Sequence, residues 1–195
     1  MRKAVRIFLM AITLSATMLL AVLVRGQEAT PAPEPPAELH QLDWFIGDWD
    51  VASRVKMSDD PEEWLDETAT SSVHPTIGGY ALLETFSGML GGTPIEGISV
   101  RTYNSNLGKW EQRWLDNTSP GFAEYTGEYS DGQFIGTSNR SFKAEDAGGR
   151  GEQSGVREIF YDIEEDRFSW RLEVTSDGGE TWEPIWYLEY TRAGE

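Results

Sequence analysis

The chain has 195 residues, of which 33 are Asp or Glu and 16 are Lys or Arg, for a formal net charge of −17 at pH 7. Cysteine is absent, which excludes a disulfide framework and a thiol-linked lipid anchor. A surface this acidic repels nucleic acid and anionic membrane; it suits simple solubility, or a cationic partner such as Ca²⁺.

Arg2, Lys3 and Arg6 precede an apolar run over residues 7–24 that is interrupted only by Thr13, Ser15 and Thr17. A basic head on an apolar body predicts an export signal over 1–26, cleaved after Gly26, and therefore a periplasmic or secreted protein. The 18-residue run also reaches the length of a membrane span, so an uncleaved anchor is the rival expectation. Residues 27–38, QEATPAPEPPAE, contain four prolines among small and acidic residues and predict a stiff spacer. The folded domain is expected over 39–195.

Leu39, Leu42, Phe45 and Ile46 stand at helical spacing and predict one or two helical turns that stop at Gly47. Beyond them the pattern changes to period two. Aromatic and β-branched segments near 49–57, 68–74, 79–87, 95–104, 109–116, 121–129, 132–142, 154–162, 166–175 and 182–192 are separated by Gly, Asn and Asp clusters. The acidic stretch 59–67 is expected to be a solvated loop with at most one helical turn after Pro61. About ten short strands in series predict an all-β antiparallel meander closed into a barrel, since closure removes the edges, and a barrel of this size can enclose a ligand cavity. A two-sheet sandwich is the alternative.

On the strand 109–116, Trp110, Gln112, Trp114 and Asp116 share one face. A dry core does not choose Gln and Asp without partners, and a solvent face does not choose two indoles; a ligand cavity wants both. Glu84 shares a face with Tyr80, Leu82 and Phe86, and Arg157 shares one with Ile159 and Tyr161. The expected ligand-binding set is Trp110, Gln112, Trp114, Asp116, Glu84, Arg157 and Glu173, with Arg157 neutralising Glu84 or Asp116. A structural ion pair with no ligand is the competing reading.

Residues 175–182, with Asp177 and Trp182, resemble an Asp-box hairpin; one copy in so short a chain predicts a self-stabilised turn and no propeller. His40 and His74 are isolated and predict no metal site; no cofactor is expected, a haem bound through His74 being the one conceivable exception. P-loop, dinucleotide and Gly-x-Ser-x-Gly motifs are absent from the sequence. Asn117 and Asn139 each open a glycosylation acceptor triplet, which matters only in a source that glycosylates such sites.

Gly47-Asp48-Trp49, at the junction of helix and first strand, resembles the calycin and lipocalin signature. That resemblance implies that Trp49 plugs the closed end of a barrel with Arg192 packed over it. More broadly, the segment 42–51 resembles the opening of the DUF1579-like proteins, an exported bacterial family of unknown function. Matching pieces follow in order: Gly78-Gly79, Leu83-Glu84, Gly97, Ser99, Tyr103, Gly108, Trp110, Gln112, Trp114, Asp116, Gly127, Asp131-Gly132, Arg157, 176–182, Tyr190 and Arg192. Residues 59–67 and 143–155 depart from the pattern. The resemblance implies a calycin-like barrel and assigns no activity.

Three functions follow as expectations. The first is a module that binds a small, partly apolar molecule. The second is an enzyme using Glu84, Asp116 or Glu173 as acid and base; binding is expected over catalysis. The third is a filled barrel with a structural or interaction role. Oligomeric state is left open.

Overall fold

The computed structural model describes residues 34–57, 63–119, 121–138 and 154–194. A 3-10 helix, Ala37–Phe45, leads into ten strands: β1 (Gly47–Lys56), β2 (Trp64–Thr76), β3 (Ala81–Leu90), β4 (Thr93–Asn104), β5 (Lys109–Asp116), β6 (Ala123–Ser130), β7 (Gln133–Ser138), β8 (Gly155–Tyr161), β9 (Arg167–Thr175) and β10 (Glu183–Arg192). Each strand pairs antiparallel with the next, and β1 pairs with β10, which closes the barrel. Trp49 stands opposite Ser71 on one side and Arg192 on the other, so β1 has no free edge. Among the described residues no helix is long and apolar enough to cross a membrane.

The predicted meander of about ten strands is the observed architecture. Alternation places the side chains: in β1, Trp49, Val51 and Ser53 are buried, while Asp48, Asp50, Ala52 and Arg54 are exposed. The helix is 3-10 with a kink at Leu42, and its buried residues, Leu39, Leu42 and Phe45, recur every third position, the period of that helix.

One strand differs from expectation. β2 begins at Trp64, inside the acidic stretch expected to form a loop, and no helical turn occurs at residues 63–67. Its acidic residues have partners. Asp66 faces Arg54 across the outer surface at 3.7 Å. Glu67 accepts the backbone N–H groups of Gly91 and Gly92 at 2.9 and 2.7 Å, which ties down the β3–β4 turn. The parts of this expectation that fall on residues 58–62, and of the seventh strand on 139–142, lie outside the described residues.

The helix end of the barrel is packed solid. Phe45, Trp49, Phe134, Phe160 and Phe168 meet there almost fully buried, and the Phe168 ring stacks on Tyr190 with centroids 4.2 Å apart. Trp49 Nε1 donates to the Phe45 carbonyl at 3.0 Å. The Arg192 guanidinium lies 4.3 Å over the Trp49 ring and donates to the carbonyls of Ile46 and Glu165. Gly47 makes this possible: its φ is +140°, and a Cβ there would lie 2.3 Å from Arg192 Nη1.

A cavity with a charged floor

The opposite half of the barrel is hollow. A cavity of about 330 Å³ lies inside it, bounded by side chains from β1, β3, β4, β5, β6, β8, β9 and β10. Phe86, Trp114, Tyr125, Trp170 and Trp186 supply aromatic wall; Leu90, Ile95, Leu172 and Val174 supply aliphatic wall.

The Trp114 indole lies along this wall because β4 leaves room at Gly97, where a Cβ would come within 2.4 Å of the ring. Trp114 Nε1 donates to Asp116 Oδ2 at 2.6 Å. The other oxygen of Asp116 accepts the backbone N–H groups of Thr118 and Ser119 at 2.7 and 2.9 Å, so this carboxylate orders the rim as well as the indole.

The floor is polar and buried. Arg101 on β4 donates from Nη1 to Glu84 Oε2 at 2.8 Å and from Nε to Gln112 Oε1 at 3.0 Å. Glu84 also accepts Ser71 at 2.9 Å and Ser99 at 2.8 Å. Glu158 on β8 accepts Trp170 Nε1 at 3.2 Å and Gln112 Nε2 at 3.4 Å, and Arg101 Nη2 stands 3.7 Å away. Beneath the guanidinium lie the rings of Phe45 and Phe160, at 4.7 and 5.2 Å. The helix is thus the base on which the floor rests, and cation–π contact partly offsets the lost hydration of Arg101.

These surroundings set the protonation states. Burial raises the pKa of Glu158 from its ordinary 4.5, against the pull of Arg101. Burial, reinforced by the negative charge of Glu84, pushes the Tyr190 phenol well above its usual range, so its hydroxyl stays neutral. A raised carboxyl pKa means that the folded state keeps a proton that the unfolded chain releases. Its contribution to stability is therefore full below pH 4.5 and is lost as pH rises through the folded value. Glu158→Gln should remove that loss. Urea unfolding across a pH series is expected to give a steeper decline above pH 4.5 in the wild type than in the variant.

The sequence-predicted residues divide into three groups. Gln112, Trp114, Asp116 and Glu84 meet at the cavity, as one face of β5 and one of β3 require. Trp110 shares that face but lies deeper, in the packed end: it is 1% exposed, donates to Gln41 Oε1 at 3.1 Å, and does not line the cavity. Arg157 and Glu173 are on the outer face of the barrel wall, where Glu173 is covered and only 5% exposed. Glu173 pairs there with Arg157, and with Arg171 at 2.7 Å, and the Arg157 guanidinium lies 4.4 Å over the Trp182 ring. The expected pairing of Arg157 with Glu84 or Asp116 does not form, because β8 turns Glu158 and Phe160 inward and Arg157 outward. Arg101 takes the expected role instead. Arg101 and Glu158 were both missed; the available signal was the inward row Ile95, Gly97, Ser99, Arg101 and Tyr103 on β4, whose period two places an arginine inside.

His74 is exposed and contacts Ser72 Oγ at 2.8 Å on the outer face, away from the cavity. At the Asp-box-like turn, Asp177 accepts the hydroxyl and backbone N–H of Thr181 at 2.6 and 2.9 Å, and the Thr175 hydroxyl at 2.7 Å. These bonds, led by that from the Thr181 side chain, hold the Asp177 carboxyl well below the usual range. Trp182 Nε1 closes the turn on the Gly179 carbonyl.

The model of the DUF1579 family, described as a protein family of unknown function, matches residues 34–192; the chain belongs to that family. Two solved structures show the same fold at low identity. The first is the Rv2717c protein from M. tuberculosis, with a TM-score of 0.55 and 14% identity over 83% of this chain and 100% of that one. The second is the S-type phycobiliprotein lyase CPES from Guillardia theta, with a TM-score of 0.51 and 10% identity over 80% of this chain and 92% of that one. No curated protein matches the chain significantly.

Proposed function

We propose that this member of the DUF1579 family is an exported binding module that holds a small, partly apolar molecule in its barrel. One observation carries the reading: half of the barrel is filled with packed aromatic rings, whereas the other half keeps an aromatic-walled cavity over a hydrogen-bonded polar floor. Protein interiors close-pack wherever they can, and an apolar wall with a few oriented polar groups is what small-molecule sites share. Trp114 and Trp186 would cover the apolar body of the ligand, and Gln112, Glu84, Glu158 and Arg101 would orient its polar end. Binding is preferred to catalysis because Glu84 and Asp116 are committed to internal hydrogen bonds and Glu173 faces outward. Export rests on the basic head and apolar run of residues 1–26.

Native mass spectrometry of the protein purified from exported material tests both parts. A mass lacking the first 26 residues supports cleavage of the signal, and a co-purified small molecule supports binding. Gly97→Val supplies the structural control. A side chain at this position pushes the Trp114 indole off the wall and into the cavity. Affinity for the apolar dye Nile red is expected to fall about tenfold or more, with a stability loss of about 1–3 kcal/mol from overpacking. Unchanged dye binding in that variant would remove the cavity from consideration.

A further inference from the structure

Carboxyl groups outnumber bases in the lining of the cavity. Among the residues that line the cavity, Arg101 is the only base, against Glu84, Glu158 and Asp116. Arg101 is held within the floor: Nη1 serves Glu84 and Ser99, Nε serves Gln112, and Nη2 stands 3.7 Å from Glu158. Glu84 is likewise engaged by Ser71, Ser99 and Arg101.

Glu158 is different. It is 2% exposed, and its Oε1 has no hydrogen-bond partner among the described residues. That oxygen sits in the space left by the missing side chain of Gly136, where a Cβ would lie 2.8 Å from it. A buried carboxyl oxygen without a partner costs about 1–3 kcal/mol or more, and the cavity that Glu158 lines is walled by the rings of Trp114, Trp170 and Trp186, whose faces attract positive charge.

On the reading that the cavity binds a small molecule, we propose that its ligand is an apolar organic cation, an amine or ammonium whose positive nitrogen is held between Glu158 and the tryptophan faces. A carboxylate ligand is disfavoured by the same inventory, because three carboxyl groups line the cavity and the one guanidinium among the lining residues already stands beside two of them. The acidic surface, with a net charge of −17, concentrates cations around the domain.

The proposal has a proton balance. The charged and titratable groups facing Glu158 are Arg101 from β4, Glu84 from β3 and Tyr190 from β10; Gln112 and Trp170 face it as neutral donors. Burial favours the protonated form of Glu158 in the empty cavity, against the pull of Arg101. When an ammonium nitrogen arrives, any proton that Glu158 holds leaves to the buffer and the carboxylate pairs with the ligand, so the charge of the entering cation is balanced.

The test is calorimetric titration of the full domain with n-octylamine, n-octanol and octanoate, at neutral pH, in two buffers of different ionisation enthalpy. Octylamine should bind at least about tenfold more tightly than octanol, with buffer-dependent heats that report proton release. Glu158→Gln should lower octylamine affinity about tenfold, abolish the proton release and change octanol affinity far less; measurable octanol binding also shows that the variant is folded. Octanol binding as tightly as octylamine overturns the cation assignment, and octanoate binding most tightly overturns it in favour of an anion at Arg101; both leave the binding module standing. Failure of all three probes, with no dye binding either, overturns the module and this inference together.

Discussion

Arg101→Met is expected to destabilise the domain by about 3–5 kcal/mol, read from the midpoint of urea unfolding. The side chain sits 3% exposed between two carboxylates. Burial opposes its charge, but the attraction of Glu84 and Glu158 outweighs this and raises its pKa above the ordinary value. Removing the guanidinium leaves two buried carboxyl groups without a countercharge and orphans Gln112 Oε1. The asymmetry is the point: a buried pair adds little over a well-packed neutral cluster, yet breaking it exposes the whole desolvation cost of what remains. The triple variant Arg101→Met, Glu84→Gln, Glu158→Gln should therefore recover much of the loss, because no buried charge survives in it. If the triple variant is as unstable as the single one, the contribution of Arg101 lies in its packing on Phe45 and Phe160 and not in its charge.

The inward arginine also marks where reading the sequence runs short. The strand 109–116 could be delimited because Lys-Trp-Glu-Gln-Arg-Trp-Leu-Asp alternates without ambiguity, and its mixed face does meet the cavity. On β8 period two leaves the direction undecided. Arg157, Ile159 and Tyr161 form one face and Glu158 and Phe160 the other, each with one charge and some apolar bulk, so only closure of the barrel decides which points in. Depth is a second limit. Trp110 and Trp114 are equivalent by periodicity, but Gln41, 69 residues earlier in the chain, claims Trp110 for the packed end. Charge is a third. Residues 63–67 read as a loop because acidic side chains disfavour strands; Arg54 and the turn amides of Gly91 and Gly92, distant in sequence, offset that preference.

Trp49→Ala carries the other large effect, about 3–5 kcal/mol for a fully buried aromatic truncated to a methyl group. The indole is 1% exposed, packs edge-on to Phe168 with centroids 4.8 Å apart, and bonds the Phe45 carbonyl. Its loss opens a void under the helix and leaves the Arg192 guanidinium without the ring it covers. Arg192→Met should cost far less, about 0.5–1 kcal/mol, since an exposed cation–π contact is weak and water can serve the carbonyls it leaves. The two substitutions therefore separate the plug from its cover. They also separate stability from binding: neither side chain lines the cavity, so the Nile red affinity of the folded fraction should match the wild type in both. Two routes lead from plug to cavity: Phe45 touches Trp49 on one side and carries Arg101 on the other, and Tyr190 packs edge-on to Trp49 and lines the cavity itself. A Trp49→Ala protein that is folded but binds dye weakly would mean that Phe45 or Tyr190 has dropped into the void and disturbed the floor.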